Sequence, residues 1–275
     1  MQKDTMGDIS EEKQNRKILF AGPCVLSGYS ESYEIAKKVK LDAEEHGFYP
    51  VFKASFDKAN RTSSNGYRGM GIEASLEIFQ SIKSNLCIEV ITDVHESNQV
   101  DKISNTVDFL QVPAFLCRQT DLIETCAKSG KPTLVKKGQF LSPESVSFIE
   151  EKFYKAGGHK LIIGERGTTF GYNELIVDAT SIIRMKQSCP NSLIIMDCTH
   201  SLQLPNSSTG KTGGRSHLVE TMVKYGSVMN SDGLFIEVHP VPSQSPSDSD
   251  NILPLSQLNR ILKISKKIYD TVSLD

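Results

Sequence analysis

Two stretches of this 275-residue chain place charged side chains where an apolar core would not tolerate them. One reads Phe52-Lys53-Ala54-Ser55-Phe56-Asp57-Lys58-Ala59-Asn60-Arg61, the other Gly164-Glu165-Arg166-Gly167-Thr168-Thr169-Phe170-Gly171-Tyr172. Each begins as an apolar, strand-like run and ends abruptly in charge. An unpaired buried charge is costly, so cations at the mouth of a buried strand call for an anionic partner. Lys53, Lys58, the pair Lys136 and Lys137, and Arg166 form such a set. Arginine gives planar bidentate recognition of carboxylate or phosphate, and lysine adds a compact point charge. Pairing with a nearby acid such as Asp57 or Glu165 is the structural alternative for any one of them. Lys53 and Lys137 end their runs with no adjacent acid, which points to a bound phosphate or carboxylate.

A second set, Asn60-Arg61-Thr62-Ser63, combines an arginine with hydroxyl groups and suits a second phosphate, although the same residues also describe a solvated loop. A third set is Cys24, His200, Glu237 and Asp248. Thiolate, imidazole and carboxylates suit a divalent metal of borderline softness such as Zn, Fe or Mn. No local ligand spacing supports it, so it depends on a fold that brings the residues together. Taken singly, Cys24 reads as a small buried residue and His200 as a hydrogen-bonded structural histidine. As a pair they read as a thiol nucleophile and its base. Asp93 and His95 have the chemistry to contact a sugar hydroxyl or move a proton.

The elements that must position these groups are short apolar runs at 18–21, 51–56, 87–93, 108–115, 132–137, 160–164, 193–197 and 233–238. Eight runs of this length read as strands. Amphipathic segments lie between most of them. Residues 31–46 place Tyr33, Ala36, Val39 and Ala43 at helical spacing before Gly47, and 72–84 and 143–155 behave similarly. Eight strand-then-helix units predict an α/β fold, the (β/α)8 TIM barrel. An open doubly wound sheet is the competitor, but no G-x-G-x-x-G follows the first run. The expected organisation is a polar N-terminal tail, 1–17, and a single barrel catalytic domain, 18–275. Active sites of this fold lie at the C-terminal ends of the strands. There the sequence places Cys24, Lys53, Asp93, His95, Gln111, Lys137, Arg166, His200, Glu237 and His239.

A formal net charge of -2 argues against nonspecific attraction to nucleic acid or membrane, so the cations are read as placed ligand contacts. The six cysteines show no C-x-x-C spacing and no disulfide scaffold is expected. The N-terminal stretch lacks the apolar centre of a signal peptide, and no apolar run reaches the ~20 residues needed to span a bilayer. A cytoplasmic location is the expectation.

These segments resemble the phosphoenolpyruvate-dependent aldose-phosphate synthases, in particular the 3-deoxy-D-manno-octulosonate 8-phosphate synthases. The matching stretches are Ala21–Cys24, Phe52–Arg61, Thr92–Glu96, Gln111–Asp121, Val135–Phe140, Glu165–Tyr172, Asp197–Gln203 and Glu237–Pro240, and the resemblance runs from about residue 18 to Leu258. It implies condensation of phosphoenolpyruvate with D-arabinose 5-phosphate and water, a step toward Kdo in lipopolysaccharide. It implies that Lys53, Gln111, Ala114, Lys137 and Arg166 hold phosphoenolpyruvate, with Lys58 adding charge nearby. Asn60, Arg61 and the Thr62 hydroxyl would hold the aldose phosphate. Arg118 would reach the aldose phosphate of a neighbouring subunit, which implies a homotetramer. Asp93 would contact the sugar, and Lys53, Lys58, Asp93, Lys137 and His200 would carry the chemistry.

The family has metal-dependent and metal-independent branches, told apart by Cys or Asn after Gly-Pro in the first-strand motif. Here the residue is Cys24, so the resemblance implies a divalent metal held by Cys24, His200, Glu237 and Asp248. Three features depart from the family pattern. Thr62 stands in the phosphate loop, Cys198 follows Asp197, and Asp248 rests on a Ser-Asp pattern that Asp250, two residues later, repeats as the alternative ligand. The alternatives are a Schiff-base aldolase using Lys53 or Lys137, a sister synthase acting on erythrose 4-phosphate or N-acetylmannosamine, and a noncatalytic sugar-phosphate-binding barrel.

Overall fold

The computed structural model describes residues 16–60, 66–205 and 213–272. Eight parallel strands follow the expected order: β1 (Ile18–Gly22), β2 (Tyr49–Lys53), β3 (Glu89–Asp93), β4 (Phe109–Val112), β5 (Thr133–Lys136), β6 (Leu161–Glu165), β7 (Leu193–Asp197) and β8 (Gly233–His239). Each pairs with the next, and β1 pairs in parallel with β8 through Ile18 opposite Gly233 and Phe20 opposite Phe235, which closes the sheet. Eight helices alternate with the strands: α1 (Tyr29–Glu45), α2 (Ile72–Leu86), α3 (Ser97–Ser104), α4 (Thr120–Lys128), α5 (Ser147–Lys155), α6 (Ser181–Ser188), α7 (Val219–Val228) and α8 (Leu258–Val272). This is the (β/α)8 barrel. Of the expected tail, only residues 16 and 17 belong to the described part.

The strands are apolar throughout because both of their faces are covered, one by the lumen and one by helices. Two cores result. The lumen is filled by Ile18, Phe20, Tyr49, Val51, Ile91, Phe109, Leu134, Ile162, Ile195 and Phe235. The outer core joins alternate strand residues such as Leu19, Val90, Val135 and Ile163 to the inward stripes of the helices. In α1 that stripe is Ile35, Ala36, Val39 and Ala43; in α8 it is Leu258, Ile261, Leu262 and Tyr269. Burying one such large side chain contributes about 1.5–3 kcal/mol, so the two layers together hold the cylinder rigid.

Several element ends differ from the expectation. The second run continues past Lys53 only as an isolated bridge between Val25 and Ser55. The fourth stops at Val112, because Pro113 has no N–H to give the ladder, and the chain turns through a short 3-10 segment, Ala114–Leu116. The helix expected from Pro143 starts as a 3-10 turn, Glu144–Val146, before α5. Two small antiparallel ribbons, Thr168–Phe170 with Glu174–Ile176 and Gln203–Leu204 with Gly213–Gly214, lie in the loops after β6 and β7.

Candidate active site

Side chains alternate between the faces of a strand. The residue two positions beyond each lumen-filling side chain therefore also faces inward, one layer nearer the C-terminal mouth. Counting on from Val51, Ile91, Phe109, Leu134, Ile195 and Phe235 gives Lys53, Asp93, Gln111, Lys136, Asp197 and Glu237. All six are buried. A ring of polar and charged groups thus sits on an apolar plug. On β1 the matching position is Gly22, where a Cβ would lie 2.1 Å from the Lys53 carbonyl oxygen, so glycine lets β1 and β2 approach closely.

Lys53 is the hub of one side of the ring. Its Nζ donates to Glu237 Oε1 at 3.0 Å, Ser55 Oγ at 3.2 Å and the Cys24 carbonyl at 3.3 Å. Ser55 Oγ donates to Asp93 Oδ2 at 2.6 Å, and Gln111 Nε2 donates to the other Asp93 oxygen. Burial works against the charge on Asp93, but Lys53, Lys58 and His95 hold its carboxyl below the usual carboxylate range. Burial also disfavours the Lys58 ammonium, yet Cys24, Glu237, Asp93 and Asp248 raise it above the ordinary lysine range.

On the far side of the ring Lys136 Nζ donates to Asp197 Oδ2 at 2.7 Å and sits 2.9 Å from the centroid of the Phe235 ring. Burial pushes this amine down to about 8, with Asp197 opposing. Lys137, the residue expected to face the ligand, has the opposite parity and turns away from the lumen. Its Nζ donates to the carbonyls of Gly167 at 3.1 Å and Leu141 at 3.3 Å and to Thr168 Oγ1 at 3.2 Å, and it pairs with Glu165 Oε1 at 3.5 Å. It fastens the loop after β5 to the loop after β6. Glu165 also accepts from the Gly167 N–H at 2.6 Å, across a bend that Gly167 makes at φ 86°.

Arg166 keeps lumen parity with Ile162 and is buried. One guanidinium nitrogen, Nη2, donates to the His200 carbonyl at 3.2 Å and to Gln203 Oε1. The other, Nη1, is buried with no hydrogen-bond partner among the described residues, as are Gln111 Oε1 and Glu237 Oε2. Unsatisfied buried groups are rare. A cationic donor left open in the same inward-facing set as Lys136 and Lys53 is one that an anion would satisfy.

The expected metal ligands converge in part. Among the described residues, one ligand atom each from Cys24, Glu237 and Asp248 lie within 4.8 Å of one another. Cys24 Sγ donates to Asp248 Oδ2 at 3.2 Å. His200 does not come that close to all three, but its Nε2 lies 3.4 Å from Glu237 Oε1. Its Nδ1 lies 2.9 Å from Asp197 Oδ2, so a proton held there would leave Nε2 free to ligate. Burial, with Glu237 and Asp248 nearby, pushes the Cys24 thiol well up, so a thiolate there needs added positive charge. Asp248 rather than Asp250 belongs to the group, since Asp250 is exposed and accepts from Ser249. Burial opposes the Asp248 charge, but Lys58 and His200 hold the carboxyl far below its usual range.

Of the remaining expected residues, Ala114 is buried in the turn after β4, while Arg118 and Asn60 are exposed. Arg61 and Thr62 lie outside the described residues. His95 packs edge-on to Phe56, and His239 pairs with Glu31 at 3.2 Å. Sequence reasoning placed Lys136 in the anion set but gave the ligand contact to Lys137, and it passed over Gln203 and Asp197 as site residues. Strand parity alone would have chosen Lys136 over Lys137 and found Asp197.

A parallel barrel whose C-terminal mouth carries inward cations and a cluster of soft and hard metal donors defines an anion-binding enzyme of the TIM-barrel class. Comparison with known proteins narrows the class. The model of the DAHP synthetase I family matches residues 1–273, and the chain belongs to that family. It is 41% identical over 268 residues to a 2-dehydro-3-deoxyphosphooctonate aldolase of Citrobacter koseri, covering 98% of this chain and 94% of that protein. A protein of the same name from Campylobacter jejuni subsp. doylei is 38% identical over 268 residues, covering 94% and 99% of the two chains. Another, from Syntrophotalea carbinolica, is 41% identical over 259 residues, covering 94% and 92%.

Proposed function

We propose that this protein condenses phosphoenolpyruvate with D-arabinose 5-phosphate and water to 3-deoxy-D-manno-octulosonate 8-phosphate and inorganic phosphate, a cytoplasmic step of Kdo and lipopolysaccharide biosynthesis. The observation that carries this reading is the inward set Lys53, Lys136 and Arg166, with the Arg166 Nη1 donor left open. These groups would hold the carboxylate and phosphate of the enol, with Lys58 nearby, Gln111 Oε1 as a further contact and Ala114 at the rim. Asn60, Arg61 and Thr62 would hold the aldose phosphate, and Asp93 would contact its hydroxyls. The catalytic domain is 18–275.

In the reaction C3 of phosphoenolpyruvate bonds to the aldehyde carbon, whose oxygen takes up a proton. Water adds at C2 and gives up a proton, and the C2–O bond to phosphate then breaks. Holding both substrates in one dry mouth supplies much of the rate. Cys24, Glu237 and Asp248, with His200 beside them, fit a divalent cation (Zn, Fe or Mn): the donor set is apt and Glu237 Oε2 lacks a partner. When bound, that cation supplies Lewis-acid polarisation of the aldehyde or the attacking water.

Phosphate release from phosphoenolpyruvate is expected with arabinose 5-phosphate. Release with only erythrose 4-phosphate or N-acetylmannosamine would move the protein to a sister reaction, and no release with any sugar would leave a binding barrel. Lys136, pushed down to about 8 by burial, is the amine best suited to a Schiff base. Borohydride with substrate is expected to trap nothing, and covalent labelling of a lysine would overturn the proposed chemistry. Chelation is expected to abolish activity and a divalent metal to restore it, with metal content measured in parallel. Full activity in a preparation verified as metal-free would remove the cation from this reading.

A further inference from the structure

Among the described residues Arg166 donates to two partners, and both lead to the candidate cation cluster. Its Nη2 donates to the main-chain carbonyl of His200, whose ring lies against Glu237. It also donates to Gln203 Oε1, and the same Gln203 side chain donates from Nε2 to Asp248 Oδ1 at 3.0 Å. One amide therefore bridges the cation that would grip the enol anion and a carboxylate that would grip the metal.

The bridge has only one good orientation. Turning the amide over would set Nε2 against a guanidinium and Oε1 against a carboxylate, losing both bonds. Gln203 is itself anchored, because it follows the 3-10 turn His200–Leu202 and pairs in a two-residue ribbon with Gly214. Asp248 is held in turn by Ser247 Oγ at 2.7 Å and by Cys24. Arg166 and Asp248 are thus joined by a short chain of directional contacts.

We infer that Gln203 is a positioning residue that couples the anion site at Arg166 to the cation site at Asp248, so that occupancy of either tightens the other. The inference rests on the function proposed above. A cation that fixes Asp248 and His200 removes motion from both partners of Arg166. The anion then binds a guanidinium already in place, and less ordering remains to be done. By linkage the same factor acts in the other direction.

The test is a pair of titrations on the full chain stripped of metal. Co2+ is followed by its thiolate charge-transfer absorption, with and without saturating phosphoenolpyruvate. Phosphoenolpyruvate is followed by calorimetry, with and without Co2+. No sugar is present, so nothing turns over. In the unaltered protein each ligand is expected to tighten the other by about tenfold, within the usual range for coupled sites. Direct attraction between cation and anion would survive loss of the amide, whereas coupling through Gln203 would not. Gln203→Met and Gln203→Ala, each checked for folding by circular dichroism, are therefore expected to lower the coupling factor at least about fivefold.

A coupling factor in either folded variant that stays within about twofold of the unaltered protein's would overturn the inference. So would an unaltered protein that binds both ligands independently. An unaltered protein that binds no Co2+ through a thiolate would instead remove the cation from the function proposed above, and one that binds no phosphoenolpyruvate would overturn that function.

Discussion

Two adjacent lysines at the end of β5 do different work because one residue of offset turns a strand side chain to the other face. Lys136 reaches Asp197 inside the ring, and Lys137 is caged by the Gly138, Leu141 and Gly167 carbonyls outside it. Lys136→Met is therefore expected to weaken phosphoenolpyruvate binding by about 10- to 100-fold, the worth of a charged hydrogen bond. Lys137→Met is expected to leave that affinity within about threefold, below the roughly 1 kcal/mol of an ordinary hydrogen bond, while lowering thermal stability. Calorimetry beside a melting curve separates the two, and equal losses of affinity would refute the division.

Lys136 also sets a pH dependence. Burial, opposed by Asp197, brings the folded-state amine to about 8, against roughly 10.4 for an unfolded lysine. Anion binding needs the protonated amine, so kcat/KM for phosphoenolpyruvate is expected to fall as pH rises through about 8. Stability should move the other way. Between about 8 and roughly 10.4 the unfolded chain binds more protons than the folded one, so this residue's contribution to stability increases with pH. Lys136→Arg should carry the kcat/KM fall to higher pH, and an unmoved profile would assign it to another group. Little of this was legible in the sequence, where two lysines end one apolar run. Counting alternate residues from Leu134 separates them only once the register of β5 is known.

At the scale of elements the sequence was far more transparent. Strands buried on both faces appear as short apolar runs, and all eight stand in the right order because helical segments and turns keep them apart. Their ends were less legible, since apolar residues continue into the mouth: Ser55 and Phe56 read as strand, yet β2 stops at Lys53. Closure of the barrel brought Cys24 to Asp248 across 224 residues, a proximity that no local spacing encodes. The seam between β1 and β2 is where element packing bears most directly on the site. A Cβ on Gly22 would meet the Lys53 carbonyl at 2.1 Å, and that strand pair carries Lys53 and leads to Cys24. Gly22→Ala is expected to lower stability by about 1–3 kcal/mol through overpacking and to weaken both phosphoenolpyruvate and Co2+ binding. Melting curves and the two titrations check this, and a variant with unchanged melting and affinity would show that the strands part without disturbing the site.

At the scale of the whole molecule, the mouth of the barrel carries aromatic side chains that a solitary protomer would leave in water. Phe115 is 58% exposed, Phe140 55%, Phe170 65% and Tyr172 87%, on the loops that follow β4, β5 and β6. Exposed aromatics on successive loops favour a protein interface, and Arg118 is exposed on the loop after β4 that carries Phe115. The expected homotetramer, in which Arg118 would serve a neighbour's aldose phosphate, would cover such a surface, and mixed assemblies put the idea at risk. Arg118→Ala alone should raise KM for arabinose 5-phosphate about 10- to 100-fold through loss of a charged contact. Lys53→Met alone should be inactive, because it removes the hub of the ring within its own barrel. When the two variants are dissociated together and reassembled, some Arg118→Ala protomers, with their own Lys53 intact, come to lie beside Lys53→Met protomers that still carry Arg118. Those sites are complete, so activity at low arabinose 5-phosphate is expected to exceed the sum of the separate variants. Activity equal to that sum, in assemblies verified as mixed by mass, would place Arg118 in service of its own barrel.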